Sequence, residues 1–292
     1  MIYLKGIKQN VVLAKYTTYK IGGPADYFIS VKNFEELKKA LRFTEDNSLP
    51  FFVLAGGSNV LFSDEGFRGL IIKIDNKELS IYENEITVGA GVLMNDVVSQ
   101  SIENGLAGLE WAGGLPGTAG GAIRGNAGCF GGEIKDIVKE VTAVTYGGEI
   151  KLYKNEDCYF NYRESIFKRN KEIIMSAVFK LRAGDKNNLK TIVFDHIKYR
   201  QIKHRTPSCG SVFKNCFLED GSVLPVGALI EACGLVGKTI GGAKITEEHA
   251  NIIHNFNHAK ATDVLDLINL AKEKAKKEFG VELEEEVQLV GF

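Results

Sequence analysis

Glycines are concentrated in one short part of this sequence. Of the 32 glycines in the 292 residues, 11 fall between Gly105 and Gly132. Collagen is excluded because no strict three-residue repeat is present. Residues without side chains let the backbone approach a neighbour or a ligand closely. The cluster therefore predicts a stretch of backbone that packs tightly against another segment or a bound molecule.

The composition and charge exclude several classes of protein. The 45% hydrophobic and 25% charged residues are typical of ordinary folded proteins and argue against disorder. A formal net charge of −1 argues against a general nucleic-acid binder, which needs concentrated Lys and Arg. No apolar run approaches the ~20 residues of a membrane span, and charges interrupt the N-terminus before a signal-peptide core forms. We expect a cytoplasmic monomer without nucleic-acid or membrane partners.

The cysteines and histidines do not form a recognisable metal motif. The five cysteines are irregularly spaced and include no C-x-x-C pair, which argues against a zinc ribbon. We expect reduced thiols. The spacing of the five histidines does not suit a metal site either, so we predict no metal.

The first half of the chain shows helix and strand patterns. Asn33 is a predicted N-cap for a helix that begins at Phe34, with Glu36 placed as in a capping box. Apolar runs predict strands at 51–54 and 70–74, and a strand at 86–89 is expected to pair with one around 80–82. A helix from about Leu93 is expected to end at Gly105.

The second half begins with strands and continues with helices. A strand at 137–146 is followed by Gly147-Gly148, which predicts a two-residue hairpin turn into 149–153. Another strand is expected at 172–181. Helices are predicted at 189–203, near 225–233 and at 262–279, with Thr262 as N-cap and Gly280 after the C-terminus.

Two glycine segments have the pattern of an anion site. Ala55-Gly56-Gly57-Ser58-Asn59 directly follows a predicted strand, and Gly113–Gly121 forms the second segment. Successive backbone N–H groups without side chains can face a pyrophosphate. Neither segment contains Lys or Arg, so amides and the hydroxyls of Ser58 and Thr118 would hold the anion. Tight turns alone are the alternative, and the ligand is not identified by these residues.

A set of motifs resembles a known enzyme family. Thr17–Gly23, the Leu54–Asn59 loop and Gly113–Gly128 resemble the FAD-binding domain of the vanillyl-alcohol-oxidase type, also called PCMH-type. Tyr162-Arg163-Glu164-Ser165 and Cys209–Asn215 narrow the match, as does the tail Leu283-Glu284-Glu285-Glu286-Val287. In this order they resemble the UDP-N-acetylenolpyruvoylglucosamine reductase (UDP-N-acetylmuramate dehydrogenase) family. Only 48 positions separate the arginine and serine motifs, so the chain resembles the shorter class, without the extra tyrosine loop.

The resemblance implies an α+β fold. It has an FAD-binding domain in two α+β lobes, at 1–78 and 79–186. A C-terminal α+β substrate-binding domain follows at 187–280, and a tail at 281–292 returns to the active site.

The resemblance also implies which residues bind the cofactor and substrate. The residues expected to bind FAD are Thr18, Ala55, Gly56, Gly57, Ser58, Asn59, Gly113, Gly114, Pro116, Gly117, Thr118, Gly120, Gly121, Asn126 and Gly128. Lys203, Lys214 and Asn215 are expected at the substrate, and Arg200 is a further electrostatic partner for its pyrophosphate.

The implied reaction reduces UDP-N-acetylglucosamine enolpyruvate to UDP-N-acetylmuramate, a peptidoglycan precursor. NADPH reduces bound FAD, and the flavin passes hydride to the vinyl carbon. Arg163 would stabilise the enolpyruvyl carboxylate, since its planar fork suits a carboxylate. Ser211 would donate the proton, and Glu286 would lie with Arg163 at the carboxylate.

Some residues depart from the family pattern. Glu285 and Gln288 replace the usual residues around Glu286, and Arg124 lies where a ring is common. Arg124 has flavin, NADPH phosphate or solvent as possible partners.

Two rival functions remain at this point. A flavin oxidase of a small alcohol would use the same FAD-binding domain, and a non-catalytic UDP-sugar-binding protein would bind without turnover.

Overall fold

The computed structural model describes residues 4–217 and 221–292, which form two compact units. The first unit comprises Met1–Gln9, Tyr27–Gly56 and Gly69–Arg200; the second comprises Asn10–Asp26, Gly57–Arg68 and Gln201–Phe292. The predicted domains are consecutive stretches of sequence that end at 78, 186 and 280, whereas each unit combines separated segments of the chain. The two divisions are not equivalent, so the predicted bounds stay a prediction.

The described residues contain seven α-helices. They are α1 (Phe34–Asp46), α2 (Met94–Glu103), α3 (Ala119–Arg124), α4 (Ile166–Arg169), α5 (Lys186–Lys203), α6 (Val226–Ala232) and α7 (Ala261–Phe279). Short 3₁₀ turns lie at Leu13–Tyr16, Glu110–Ala112, Ile134–Asp136 and Asn155–Cys158.

The same residues contain twenty strands. In the first half of the chain they are β1 (Lys8–Val12), β2 (Pro24–Val31), β3 (Phe51–Leu54), β4 (Val60–Phe62), β5 (Phe67–Ile74), β6 (Leu79–Tyr82), β7 (Glu85–Gly89), β8 (Leu106–Ala107), β9 (Gly128–Cys129), β10 (Gly132–Glu133) and β11 (Val138–Val144). Then follow β12 (Ile150–Lys154), β13 (Ile173–Lys180), β14 (Arg182–Ala183), β15 (Cys216–Phe217), β16 (Val223–Leu224), β17 (Thr239–Ile240), β18 (Ala243–Ile245), β19 (Ile253–Asn255) and β20 (Gln288–Val290).

An antiparallel sheet organises the first unit. Its strand order is β12-β11-β13-β7-β6, and β13 in the middle is buried along most of its length. The predicted pairing of 86–89 with 80–82 is confirmed, because Ser80 lies opposite Thr87. A second sheet has the order β1-β2-β5-β3, with β3 parallel to β5.

The second unit has its own core. Strand β20 pairs in parallel with β4, and β17-β18-β19 form a small antiparallel sheet. Helix α7 buries Val264, Leu267, Ile268 and Ala271 against this core. The apolar stripe explains why the sequence pattern locates this helix well.

Local capping signals locate helix ends where the cap is close in sequence. The side chain of Asn33 accepts the N–H of Glu36 at 2.9 Å, so the predicted N-cap of α1 is confirmed. The Glu36 carboxylate accepts the N–H of Lys32 instead of completing a capping box with Asn33. Gly105 follows α2 with φ +67° and Gly280 follows α7 with φ +70°, as expected for residues after a helix end.

Three predicted details of the elements are wrong. Helix α7 starts at Ala261, so Thr262 is not its N-cap. The carboxylate of Asp64 instead accepts the N–H groups of Ala261 (2.8 Å) and Thr262 (3.3 Å), a cap from 197 positions earlier in the sequence. Helix α5 starts three residues earlier than predicted, at Lys186, where Asp185 accepts two of its first N–H groups.

The third wrong detail is the turn between β11 and β12. Thr145 donates its N–H to the carbonyl oxygen of Glu149, which makes the hairpin loop longer than two residues. Gly148 has φ +83°, the left-handed conformation that this wider loop requires.

No helix in the described ranges is both long enough and apolar enough to cross a membrane.

Candidate functional site

The two predicted glycine segments meet in the first unit. A Cβ atom on Gly56 would lie 2.6 Å from the Cα of Gly117 and 3.1 Å from the amide nitrogen of Thr118. A Cβ on Gly121 would lie 3.2 Å from the Cβ of Ala55. The backbones after β3 and before α3 therefore touch, and only residues without side chains permit this approach.

A buried hydroxyl lies at this contact. Thr118 is 5% exposed, and its Oγ1 atom has no hydrogen-bond partner. The same hydroxyl would lie 3.9 Å from a Cβ on Gly121. Buried polar atoms nearly always have a partner, so an unpaired hydroxyl in a glycine-lined contact fits a ligand with hydrogen-bonding oxygens. The diphosphate and ribityl groups of FAD are ligands of this kind.

Other predicted cofactor residues of the first unit have different surroundings. Gly113 and Gly114 pack under α5, where Val193, Ile197 and Arg200 cover them. The Gly114 N–H donates to Asn95 Oδ1 at 3.1 Å, and Arg200 Nε donates to the Gly113 carbonyl oxygen at 3.0 Å.

These contacts occupy the Gly113 carbonyl oxygen and the Gly114 N–H within the unit. They also hold Arg200, whose Nη2 atom contacts Cys129 Sγ at 2.6 Å. Pro116 lies at the surface, Gly117 has φ +111°, and the Gly120 N–H donates to Ala90 O at 3.0 Å.

The second unit holds the remainder of the predicted cofactor loop. Thr18 donates its N–H to the carbonyl oxygen of Gly57 at 3.0 Å, and Gly57 has φ +65° in tight contact with Tyr16. Ser58 is half-buried. Asn59 donates from Nδ2 to the carbonyl oxygen of Glu286 at 3.1 Å, while its buried Oδ1 has no partner. Asn59 thus joins this loop to the tail and leaves one buried acceptor for a ligand.

The second unit also brings two predicted catalytic segments side by side. The N–H of Glu286 donates to the carbonyl oxygen of Val212 at 2.8 Å. Lys214 donates its N–H to Glu284 O at 2.9 Å, and Phe213 forms a bridge with Glu285. The tail therefore runs along the segment that follows Ser211.

A residue that sequence reasoning missed holds the other side of this segment. Asn251 is 3% exposed and pairs with both polar groups of Phe213, accepting its N–H at 2.9 Å and donating to its carbonyl oxygen at 2.8 Å. Its own carbonyl oxygen accepts the Val212 N–H at 2.9 Å. The only signal in the sequence is an asparagine next to the apolar pair Ile252-Ile253, where a buried amide needs partners.

A buried thiol and phenol lie near Glu286. Burial, and then the charge of Glu286, raises the pKa of the Cys209 thiol to about 12. Burial and the neighbouring Cys209 likewise raise the pKa of Tyr19 well above its usual value. Both groups are neutral at ordinary pH, so neither adds charge beside Glu286.

Arg163 lies in a tight turn of the first unit. Asn161 and Glu164 exchange two backbone hydrogen bonds of 3.1 and 3.0 Å, and Arg163 between them has φ +53°. Its Nη2 donates to the carbonyl oxygen of Gly128 at 3.0 Å. A non-glycine residue in this conformation is strained, and such strain is common at functional sites.

Asn126 lies under this turn. It is fully buried, and its Nδ2 atom donates to Asn161 O at 3.0 Å and to Glu133 Oε2 at 2.6 Å. Its Oδ1 accepts the N–H of Lys135 at 3.0 Å. The side chain that the sequence assigned to FAD is therefore occupied by three protein partners.

The predicted substrate residues are partly engaged within the second unit. Lys214 forms an ion pair with Glu284, and Asn215 Oδ1 accepts the N–H of Val226 at the start of α6. Lys203, the last residue of α5, lies near enough to His249 for its charge to help burial lower the pKa of that imidazole.

The structure gives partners to two of the unusual residues. The carboxylate of Glu285 pairs with Lys272 of α7 at 2.8 Å, so its extra charge is compensated. Burial lowers the pKa of Arg124, whereas the charge of Glu164 opposes the shift. Glu164 of the Arg163 turn is therefore a charged neighbour of Arg124 within the protein, and the choice among flavin, NADPH phosphate and solvent stays open.

The described ranges hold no cluster of three or more His, Cys, Asp or Glu side chains that could bind a metal ion.

Two family models match successive parts of the chain. A model described as an FAD-binding domain matches residues 25–152. A model described as the C-terminal domain of UDP-N-acetylenolpyruvoylglucosamine reductase matches residues 201–290. The second match contains Ser211, Asn251 and Glu286, and the first contains the Gly56–Gly117 contact.

Relatives and solved structures cover nearly the whole chain. UDP-N-acetylenolpyruvoylglucosamine reductase from Lactobacillus delbrueckii is 38% identical over 98% of this chain and 95% of its own. The enzyme of that name from Carboxydothermus hydrogenoformans is 41% identical over 98% and 94%. The crystal structure of UDP-N-acetylenolpyruvylglucosamine reductase from Thermus caldophilus is 33% identical, covers 96% of this chain and 97% of its own, and gives a TM-score of 0.80.

A more distant structure shares the fold alone. The glucose dehydrogenase Phl p 4.0202 is 14% identical and covers 62% of this chain and 42% of its own, with a TM-score of 0.51. The matches confirm the predicted α+β fold, an FAD-binding domain followed by a C-terminal α+β domain. The identity over the full length shows that this chain belongs to the UDP-N-acetylenolpyruvoylglucosamine reductase family.

Proposed function

We propose that this protein reduces UDP-N-acetylglucosamine enolpyruvate to UDP-N-acetylmuramate, with FAD as cofactor and NADPH as reductant. The observation that carries the proposal is the hydrogen bond from the Glu286 N–H to Val212 O. It joins two segments 75 positions apart (286 − 211) that carry the acid and the carboxylate this chemistry needs. The reaction would take place in the cytoplasm as a step of peptidoglycan precursor synthesis, with the protein acting as a monomer.

The residues that would hold FAD are those of the two predicted loops. The Gly56–Gly117 contact excludes side chains, and the unpaired Thr118 Oγ1 and Asn59 Oδ1 offer hydrogen-bonding groups. Amide N–H groups, not cations, would bind the diphosphate, since these loops contain no Lys or Arg. Bound FAD would supply a hydride to the vinyl carbon of the substrate.

Arg163 would bind the enolpyruvyl carboxylate. Negative charge increases on this group as the double bond is reduced, and a preorganised cation stabilises the transition state more than the ground state. The turn at Asn161–Glu164 holds the arginine backbone rigidly, which suits preorganisation. The planar guanidinium can form two parallel hydrogen bonds to a carboxylate.

Ser211 would donate the proton that completes the reduction at the neighbouring carbon. A hydroxyl is a weak acid, so it depends on firm placement over the carbon that is protonated. The segment after Ser211 has such support, because Asn251 pairs with Phe213 on one side and Glu286 with Val212 on the other. Glu286 would bind at the carboxylate end of the substrate with Arg163.

Lys203, Lys214 and Asn215 would contact the nucleotide half of the substrate. Two lysines supply positive charge for a diphosphate. Lys214 would exchange its exposed partner Glu284 for the substrate phosphates, because a surface ion pair contributes little stability.

The test is a steady-state assay with the purified, yellow protein. NADPH oxidation should require the enolpyruvyl substrate, and UDP-N-acetylmuramate should form in equal amount. Hydrogen peroxide release in place of that product would support a flavin oxidase of a small alcohol. Binding of the UDP-sugar without NADPH oxidation would support a non-catalytic binding protein.

A further inference from the structure

We propose that Asn126 is a positioning residue for Arg163 and does not bind the cofactor. The inference rests on the proposed function, in which Arg163 binds the substrate carboxylate. It differs from the sequence-based expectation, which places Asn126 among the residues that bind FAD.

The Asn126 side chain is already hydrogen-bonded within the protein. A carboxamide has two N–H donors, and here one meets Asn161 O at 3.0 Å and the other Glu133 Oε2 at 2.6 Å. The Oδ1 atom accepts the Lys135 N–H at 3.0 Å, which fixes the orientation of the amide. No N–H of this side chain remains for a flavin, and the residue is 0% exposed.

Asn126 also holds the turn that contains Arg163. Asn161 O, its acceptor, also accepts the N–H of Glu164 and closes the turn that contains Arg163. The φ of +53° at Arg163 is unfavourable for a residue with a side chain, and it persists only where neighbouring groups impose it. The bond from Asn126 supplies one such constraint at the start of the turn.

Other contacts hold the same turn from its other end. Ser165 donates from Oγ to the carbonyl oxygen of Arg124 at 2.7 Å, and Lys168 donates to Arg163 O at 2.6 Å. Arg124 is the last residue of α3, and Asn126 lies two positions after it. The turn is therefore fastened to one rigid segment at both ends, which fixes where the Arg163 side chain begins.

The test compares Asn126→Ala with a matched control in two half-reactions. Loss of the amide should let the turn relax and misplace the guanidinium, and small misplacements of this kind slow reactions by up to roughly 10²-fold. Return of flavin colour on addition of the enolpyruvyl substrate should slow by about 10–100-fold. Bleaching by NADPH, and the dissociation constant of FAD measured by flavin fluorescence, should change less than about threefold.

The control is Asn76→Ala. Asn76 is also a buried asparagine of the first unit, and it lies far in sequence from the Arg163 turn. Its Nδ2 atom donates to Met175 O, and its Oδ1 atom accepts the Glu78 N–H. It should leave both half-reactions within about threefold of wild type. Equal slowing by the two variants would overturn the proposal, because it would show only a loss of stability.

Two further measurements separate positioning from other roles. In an Arg163→Lys background, Asn126→Ala should add less than about threefold, since the geometry it protects is already lost. If the rate losses of Asn126→Ala and Arg163→Lys multiply in the double variant, the proposal is overturned. Weaker FAD binding by Asn126→Ala, with both half-reactions slowed equally, would show that Asn126 binds the cofactor and would overturn the proposal.

Ser165→Ala keeps the proposal testable if Asn126→Ala fails to fold. It removes only the bond to Arg124 O, and it should raise the KM of the enolpyruvyl substrate without changing NADPH bleaching. An unchanged KM would overturn the account of the turn. Calorimetric binding of UDP-N-acetylmuramate to wild type separates the two failures: no binding contradicts the proposed function, whereas equal binding by wild type and Asn126→Ala contradicts only the positioning role.

Discussion

The backbone of Glu286 donates a 2.8 Å hydrogen bond to the carbonyl oxygen of Val212, the residue after Ser211. The tail thereby becomes a neighbour of the segment after Ser211, although 75 positions (286 − 211) separate the two proposed catalytic residues. Asn59, at the end of the Ala55–Asn59 loop, also contacts the tail. Its Nδ2 atom donates to the carbonyl oxygen of Glu286 at 3.1 Å. The placement of Glu286 is thus fixed by backbone pairing and one buried amide.

Ser211→Ala should separate the two halves of the reaction. Bleaching by NADPH does not need the proton donor, so its rate should stay within about twofold of wild type. Return of colour with the enolpyruvyl substrate should slow by roughly 10²–10⁴, the usual contribution of a general acid. Stopped-flow absorbance of the flavin measures both rates.

The control for Ser211 is Ser101→Ala. Ser101 is a buried serine of α2 whose Oγ donates to Val98 O at 2.8 Å, and it has no proposed chemical role. Both of its rates should match wild type. Equal slowing of both halves by Ser211→Ala would argue against a role as proton donor.

Gly56→Ala should weaken FAD binding. The new Cβ would lie 2.6 Å from Gly117 Cα, and because both partners are backbone, the two loops must separate. We expect the FAD dissociation constant to rise by at least about tenfold, the effect of ~1.4 kcal/mol. Flavin fluorescence during titration of the apoprotein measures it.

Gly125→Ala is the matched change in the same glycine-rich stretch. Its Cβ would lie 3.6 Å from Gly121 O, an ordinary contact. FAD affinity should be unchanged. If both variants bind FAD as tightly as wild type does, the Gly56–Gly117 contact is not part of the cofactor site.

Cys209 should make the fold sensitive to alkaline pH. Burial and the charge of Glu286 raise the thiol pKa from 9.0 to about 12, so the folded state keeps its proton while the unfolded chain loses it. The stabilisation is complete below pH 9 and declines as pH rises towards 12. Linkage gives a loss of about 1.4 kcal/mol between pH 8 and pH 10 from this group.

Urea unfolding at the two pH values measures that loss. Cys209→Ala should reduce the decrease in unfolding free energy by about this amount. Ser208→Ala, a change at the neighbouring buried position, should leave the decrease as in wild type. Identical pH dependence of wild type and Cys209→Ala would contradict the buried neutral thiol.

Asn251→Leu should destabilise the second unit. The change leaves the N–H and carbonyl oxygen of Phe213 buried without partners, and each such group costs about 1–3 kcal/mol. We expect the free energy of unfolding to fall by about 2–4 kcal/mol. The exposed Asn257→Leu should change it by less than about 0.5 kcal/mol. If Asn251→Leu and Asn257→Leu change the free energy of unfolding by a similarly small amount, the Asn251 pairing does not stabilise the protein.

The parts of the fold that follow from neighbouring residues were predictable. Asn33 caps α1 three residues away, and Gly105 and Gly280 end their helices in the left-handed conformation, as their types indicate. Helix α7 has a continuous apolar stripe, so its extent is correct to one residue even though its cap is not. The cap comes from Asp64, and no pattern within the helix could indicate a partner that distant.

The sequence motifs named residues for the candidate site, which stay a prediction, but they did not indicate the contacts among those residues. The motifs pointed to Gly56 and Gly117, yet their contact depends on how β3 and α3 pack. Arg163 has a left-handed backbone that sequence reasoning assigns to glycine or asparagine, because only tertiary contacts impose it on arginine. The partners of Asn126 and Asn251 are likewise set by tertiary pairing, so their residue type alone could not assign their roles.

The most direct measurement of the proposed function is a single turnover without oxygen. The flavin of the purified protein is bleached with one equivalent of NADPH, and one equivalent of UDP-N-acetylglucosamine enolpyruvate is then added. We predict that the yellow colour returns fully and that one equivalent of UDP-N-acetylmuramate is formed. Colour that returns only when oxygen is admitted, with the enolpyruvyl compound recovered unchanged, would contradict the account.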